Sequence, residues 1–300
     1  MTVTHILSSF TTPTGADQRA ISMAIRLSKT NSVTLWSRKI PNHEFQQYGV
    51  RQIRPYSGEH PNGGTLYICN PNIPVGHWYD ESKFDRIVLV HNLCDQELLY
   101  RAMHRLTLSG KRQIEIIYAS ELVKKYIGLD GEIEYPFDPI DIQPARSTIG
   151  NQNARNTFTV GRISRDTKLK HHPHDIKLYK ALAAAGIRVK VVGGTCLRPW
   201  LSESSMIELI PEIPHSAVPS MLKSFDCFYY RTSRYWHEAF GMEIVEAVQA
   251  ELPVIAYDDG GYVDWLRSQQ KSFLFTTNEE AFLIIQNMAL QKCKAITRSN

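Results

Sequence analysis

The stretch 236–256, Trp-His-Glu-Ala-Phe-Gly-Met-Glu-Ile-Val-Glu-Ala-Val-Gln-Ala-Glu-Leu-Pro-Val-Ile-Ala, sets Glu238 and Glu246 eight positions apart around Phe240-Gly241. Just before it, the apolar run Asp226-Cys-Phe-Tyr-Tyr230 reads as a buried strand. Met242 to Ala250 then carries apolar residues at helical spacing, and Pro253 stops the pattern. The spacing therefore predicts a strand, a loop and a helix that starts near Gly241. Unpaired N–H groups and the positive end of the dipole make a helix start an anion site, and glycine lets a phosphate approach the backbone. Glu238 falls in the loop ahead of the helix and Glu246 in its second turn. A carboxylate accepts two hydroxyl hydrogen bonds, so the pair suits a sugar on one side of a bound diphosphate and a ribose on the other. In isolation two glutamates at this spacing read as a solvated face, and only the surrounding sequence changes that.

Working outward, the same pattern extends through Phe158-Thr-Val-Gly161-Arg162-Ile-Ser164, Val189 to Gly194, and His215 to Tyr230, and continues into Glu251-Leu-Pro-Val-Ile-Ala256 and Gly260-Gly261. Taken together, residues 157–265 resemble the retaining glycosyltransferases of family 4, the group 1 glycosyl transferases. The resemblance implies an α/β chain of the GT-B fold: two Rossmann-like, doubly wound parallel-sheet domains facing a cleft. The second domain would hold a nucleotide sugar and the first the acceptor. It implies catalytic roles for Glu238, on the sugar hydroxyls, and for Arg162 with a lysine about five residues later, on the leaving diphosphate. Lys168 follows Arg162 by six positions and Lys170 by eight; Lys168 is favoured, with Lys170 as a further donor-binding residue. Phe240, Gly241 and Met242 would lie at the diphosphate, Glu246 at the ribose, and Ile213 near the base. Pro211 and Arg231-Thr232 depart from the family's usual residues. Neither glutamate need attack the sugar, because the departing phosphate can take the acceptor proton in a front-face substitution.

Residues 1–147 carry the resemblance only weakly, and their reading rests on periodicity. Strands are predicted over Val3 to Ser9, Ser32 to Trp36, Thr65 to Cys69, Ile87 to His91 and Gln113 to Tyr118, with helices over Gly15 to Lys29 and Asp95 to Leu108. Alternation of this kind predicts a parallel sheet. Three prolines between Tyr135 and Pro144, without helical period, mark a linker, so the expected domains are 1–147, on the acceptor side, and 148–300, on the donor side. The second series ends in a helix from Asn278 to Lys292. His91 closes a strand, where the family often carries a histidine near the donor sugar, and Gly15 matches a glycine in the first loop; for both, a structural role is an equal reading.

A chain of 300 residues with 43% hydrophobic content can bury two cores. The net charge of +4 does not point to nucleic acid, and leaves only weak attraction to an anionic membrane surface. No apolar run reaches the ~18 residues of a membrane span and the first residues lack a signal-peptide pattern, so a cytoplasmic protein is expected, at most peripheral at the inner face of the membrane. Cys69, Cys94, Cys196, Cys227 and Cys293 show no paired spacing and read as reduced thiols. His171-His172-Pro173-His174 lacks the further ligands of a metal site. The expectation is a hexosyltransferase that uses a nucleotide-diphosphate sugar, a saccharide or lipid-linked acceptor, and neither metal nor cofactor, in surface polysaccharide or glycan synthesis. An epimerase or phosphorylase of the same fold is one alternative. A sugar-nucleotide-binding subunit that needs a partner is another, since only Ala295 to Asn300 remain for the family's last helix, the one that crosses back onto the first domain.

Overall fold

The computed structural model describes residues 2–12, 14–69, 75–108, 114–137 and 157–299. Contacts divide the chain into two compact units, Met1–Asp141 and Ile142–Asn300. The boundary expected at 147/148, and the linker from residue 138 onward, lie outside the described residues.

The first unit runs β1 (Val3–Ser8), α1 (Gly15–Leu27), β2 (Ser32–Ser37), β3 (Arg51–Gln52), β4 (Thr65–Ile68), α2 (His77–Glu81), β5 (Arg86–His91), α3 (Gln96–Thr107), β6 (Ile114–Tyr118), α4 (Glu121–Ile127) and β7 (Glu132–Ile133). Its strands form one parallel sheet in the order β3-β2-β1-β4-β5-β6-β7. Continuous burial along β4 and most of β5 is what a parallel sheet covered on both faces requires. Helix α1 starts at a Thr14 cap whose Oγ1 accepts from the Asp17 N–H at 3.3 Å. It buries Ala20, Ile21, Met23 and Ala24 against Ile6, Leu35, Val88 and Val90.

The second unit runs β8 (Thr159–Ile163), α5 (Asp175–Ala184), β9 (Arg188–Val192), β10 (Ile207–Ile210), α6 (Val218–Leu222), β11 (Cys227–Tyr230), α7 (Met242–Gln249), β12 (Val254–Tyr257), α8 (Val263–Leu266), β13 (Ser272–Phe275) and α9 (Asn278–Ser299). The sheet order is β10-β9-β8-β11-β12-β13, again all parallel. Leu178 and Leu182 of α5 and Ala281 and Ile285 of α9 pack with Val160, Val189, Val191, Tyr229 and Ile255 in one core. Strand order reverses at β1 in the first sheet and at β8 in the second. Ligands of doubly wound sheets bind outside the strand carboxyl ends at such a reversal, which singles out the β8–β11 gap in the second unit.

The sequence reading missed β3, β7, α2 and α4 and ended α9 too early. Two-residue edge strands are too short to show alternation. In α4, the Ser120 cap and the left-handed Gly128 (φ +74°) are ordinary start and stop signals, but seven residues carry little period. Residues 293–299 contain neither Gly nor Pro, so nothing local ends α9 at Lys292.

Candidate active site

Strand β8 carries two residues that shape the site. A Cβ on Gly161 would sit 1.9 Å from the Phe225 ring, so only glycine lets the strand lie this close to the chain leading into β11. The next side chain, Arg162, is 1% exposed at the carboxyl end of the strand. Its guanidinium carbon lies 4.8 Å from the Tyr230 ring centroid and its Nη2 donates to the Lys170 carbonyl. Nε and Nη1 have no acceptor among the described residues. Buried donors are normally paired, so two open N–H groups on a buried cation mark a place for an anion.

Beside them, the Lys170 ammonium forms an ion pair with Glu238 Oε2, which also accepts from the Tyr230 hydroxyl at 2.8 Å. Burial works to raise the Glu238 carboxyl, yet the Lys170 charge and these hydrogen bonds hold it below the ordinary range, so it is ionised at neutral pH. The Glu238 backbone carbonyl accepts from the Gly261 N–H at 2.8 Å, which joins the loop before α7 to the Gly260-Gly261 turn. Gly241 precedes α7 at φ +84°, a conformation that favours glycine, and no side chain caps the helix start. The Ile244 N–H turns back to the Gly241 carbonyl at 3.0 Å, and no side chain takes the Met242 and Glu243 amides ahead of it, as phosphate binding at a helix start requires.

Glu246 is half-buried in the second turn of α7, its Oε1 3.5 Å from Nδ1 of His215. Burial, with Glu243 adding repulsion, pushes its carboxyl up to about 8. Behind the site, Asp175 Oδ1 accepts from Tyr229 OH at 2.8 Å and from Arg231 Nε at 2.8 Å, while Arg231 Nη2 reaches Asn278 Oδ1 at 2.7 Å. The buried cations Arg162, Lys170 and Arg231 face the buried carboxylates Glu238 and Asp175. One positive charge is left over, which favours an anion at this place.

The structure thus brings Arg162, Lys170, Glu238 and Gly241 together, with Met242 opening α7. It places Lys168 elsewhere: exposed, with its ammonium 4.7 Å from the Trp200 ring centroid. Lys170, not Lys168, is the lysine paired with Glu238. The Phe240 side chain is packed 5.8 Å from the Trp265 ring, which leaves it a structural anchor for the loop. Ile213 is half-buried in the loop after β10, two residues before His215. Gly15 and His91 belong to the first unit. Gly15 opens α1 with free space where a Cβ would be. His91 ends β5 but is fully buried, edge-on to Tyr118 at 6.3 Å, and burial lowers its imidazole to about 4. It is neutral at pH 7 and closed to solvent, which favours the structural of its two sequence readings. His171 is also buried, with Nε2 donating to the Gly193 carbonyl at 2.8 Å. Among the described residues no cluster of three or more His, Cys, Asp or Glu could hold a metal ion.

Sequence reading weighs Tyr230 and Trp236 only as rings that could stack on a sugar or serve as core, whereas here Tyr230 donates to Glu238 and Trp236 lies against Lys170; the Asp175–Arg231 pair escapes it. The signal for that pair is only a charged residue at a helix start, which is not distinctive.

Residues 149–285 match the family model described as Glycosyl transferases group 1. Among solved structures, Anabaena HepE in complex with UDP-glucose is 16% identical, with a TM-score of 0.63 over 99% of this chain and 95% of that one. A glycosyltransferase from Rickettsia africae is 14% identical, with a TM-score of 0.68 over 98% and 92%. WaaG, a glycosyltransferase involved in lipopolysaccharide biosynthesis, is 13% identical, with a TM-score of 0.58 over 98% and 93%. No curated protein matches significantly by sequence. The architecture is GT-B, and the resemblance to group 1 glycosyltransferases is found independently over the residues that build the site. Among the described residues no helix is long and apolar enough to cross a membrane.

Proposed function

We propose that this protein is a retaining, metal-independent glycosyltransferase that moves a hexose from a nucleoside-diphosphate sugar to a saccharide or lipid-linked acceptor, in surface polysaccharide or glycan synthesis. The observation that carries the reading is the pair of unpartnered Arg162 donors beside the Lys170–Glu238 ion pair, next to the uncapped start of α7. A diphosphate there would accept from Nε and Nη1 of Arg162 and from the first amides of α7, around Gly241 and Met242. As the bond from the anomeric carbon to the phosphate oxygen breaks, Arg162 and Lys170 would meet the charge growing on the leaving group. The departing oxygen takes the proton from the acceptor hydroxyl, which attacks from the same face and so retains the anomeric configuration. Glu238, held ionised, would orient the sugar hydroxyls, Glu246 the ribose hydroxyls, and the Ile213 segment the base. Since protein cations supply the counter-charge, neither metal nor cofactor is required. Of the first-unit residues only Gly15 is kept as a contribution to binding, since His91 is closed to solvent. The protein would work in the cytoplasm, with peripheral attachment to the inner face of the membrane where the acceptor is lipid-linked.

A UDP-sugar is the first donor to try, because HepE binds UDP-glucose. Incubation of the protein with UDP-glucose and candidate acceptors, followed by proton NMR of the product, should show a new glycosidic bond with the donor's anomeric configuration. An inverted product would rule out the mechanism.

A further inference from the structure

Two loops flank the buried Lys170–Glu238 pair, and both are rich in exposed cations set against aromatic rings. The Arg165 guanidinium carbon lies 5.8 Å from the Trp236 ring centroid, and the Lys170 ammonium lies 5.1 Å from the same ring. Trp236 therefore joins the buried pair to the surface. Lys168 sits over Trp200 and Arg234 lies 4.8 Å from the Tyr235 centroid. Trp200 remains 47% exposed and Tyr235 71%. Arg165, Lys168 and Arg234 form no ion pair with a carboxylate among the described residues.

Of the nearby acids Glu203 is paired with a cation, while Asp166 and Glu212 are held by neutral donors and keep their charge, so Arg165, Lys168 and Arg234 leave an excess of one positive charge over those two. Asp166 accepts from the Cys196 N–H at 2.8 Å and from the Thr195 hydroxyl, Glu212 accepts from the Asp166 N–H at 3.2 Å, and Glu203 pairs with Arg198 at 3.6 Å. The Asp166 contacts tie the first loop to the segment carrying Trp200. A Ser233 N–H bond to the Leu169 carbonyl, at 3.1 Å, ties it to the second loop. The surface is thus held in place before any ligand arrives, as efficient recognition requires.

Aromatic rings offer their faces to the C–H surface of a sugar, and guanidinium and ammonium groups without a carboxylate partner offer donors to acids, although Arg234 Nη2 also donates to the Tyr235 hydroxyl at 2.6 Å. We propose that Arg165, Lys168, Trp200, Arg234, Tyr235 and Trp236 form an acceptor subsite for a saccharide that carries carboxylates, a reading that rests on the transferase assignment above. At its Trp236 edge this surface adjoins Lys170, the partner of Glu238, where an acceptor end must come. A lipid surface fits less well, because Leu169 is the only strongly exposed aliphatic side chain on these loops.

The test is titration of the full chain with hexagalacturonate and with neutral maltohexaose, read by tryptophan fluorescence and calorimetry, alongside flotation with vesicles containing phosphatidylglycerol. Wild type should bind hexagalacturonate at least tenfold more tightly than maltohexaose. Trp200→Ala, and separately Arg165→Ala with Arg234→Ala, should each weaken that binding at least tenfold. Thermal stabilisation by nucleoside diphosphates, measured on the same proteins, should be unchanged and shows that the variants are folded. Equal binding of the two saccharides, no binding of either, full binding by the variants, or variants that lose only vesicle binding would overturn the proposal. A wild type that ignores every nucleoside diphosphate would instead remove the transferase reading on which the acceptor role depends.

Discussion

Arg162, Lys170 and Lys168 lie within nine residues of sequence yet have different fates in the fold. Lys170 and Glu238 are 6% and 9% exposed, so removing one partner strands a buried charge. Lys170→Met should cost ~3–5 kcal/mol of stability, whereas Lys168→Met, at the surface, should stay within ~1 kcal/mol, as urea midpoints would show. Arg162→Ala should lower kcat/KM by ~2–4 kcal/mol of transition-state stabilisation; near-normal turnover would remove Arg162 from the mechanism. Glu246 gives a pH test. Its folded carboxyl titrates near 8, far above the unfolded value near 4.5, so the folded state holds the proton more tightly. Stability from this group is full below pH ~4.5, falls as pH rises through the interval, and is gone above ~8. Glu246→Gln should flatten that slope in thermal melts between pH 5 and 8, leaving at least ~1 kcal/mol of difference. The resemblance of residues 157–265 to group 1 glycosyltransferases pointed to Glu238, Glu246 and Arg162, whereas spacing alone reads as a solvated face. Between the two lysines the resemblance favoured Lys168, and the fold pairs Lys170 with Glu238 instead. That choice depends on which ammonium the loop turns toward the interior, and only the folded loop shows it.

Among the elements, β8 and α7 decide the geometry. Gly161→Ala in β8 should destabilise by ~1–3 kcal/mol or more, because its Cβ would meet the Phe225 ring at 1.9 Å. Phe225→Leu in the same chain should recover part of the loss, since the clash and not a strand propensity is responsible. The long buried strands and α1, α3 and α9 were legible because continuous apolar runs and helical period each extend over enough residues. Strands β3 and β7 were not, since their pairing with β2 and β6 comes from the sheet and leaves no pattern in two residues. The helix start at Gly241 was legible for a physical reason: a glycine ahead of an apolar period is what a left-handed lead-in and an open set of amides require.

Each unit of the chain closes its own parallel sheet around one reversal of strand order, and the second places Arg162, Tyr230 and Glu238 at the carboxyl ends of the strands flanking that reversal. A ligand bound there must stabilise the folded chain against unfolding. The most direct test is a thermal melt of wild type and Arg162→Gln with UDP, GDP, ADP and dTDP. At one hundred times its dissociation constant, one of these nucleotides should raise wild-type stability by about 2.7 kcal/mol, and Arg162→Gln should lose most of that gain while remaining folded. No stabilisation by any of the four, or a full gain in the variant, would contradict a diphosphate site built on Arg162.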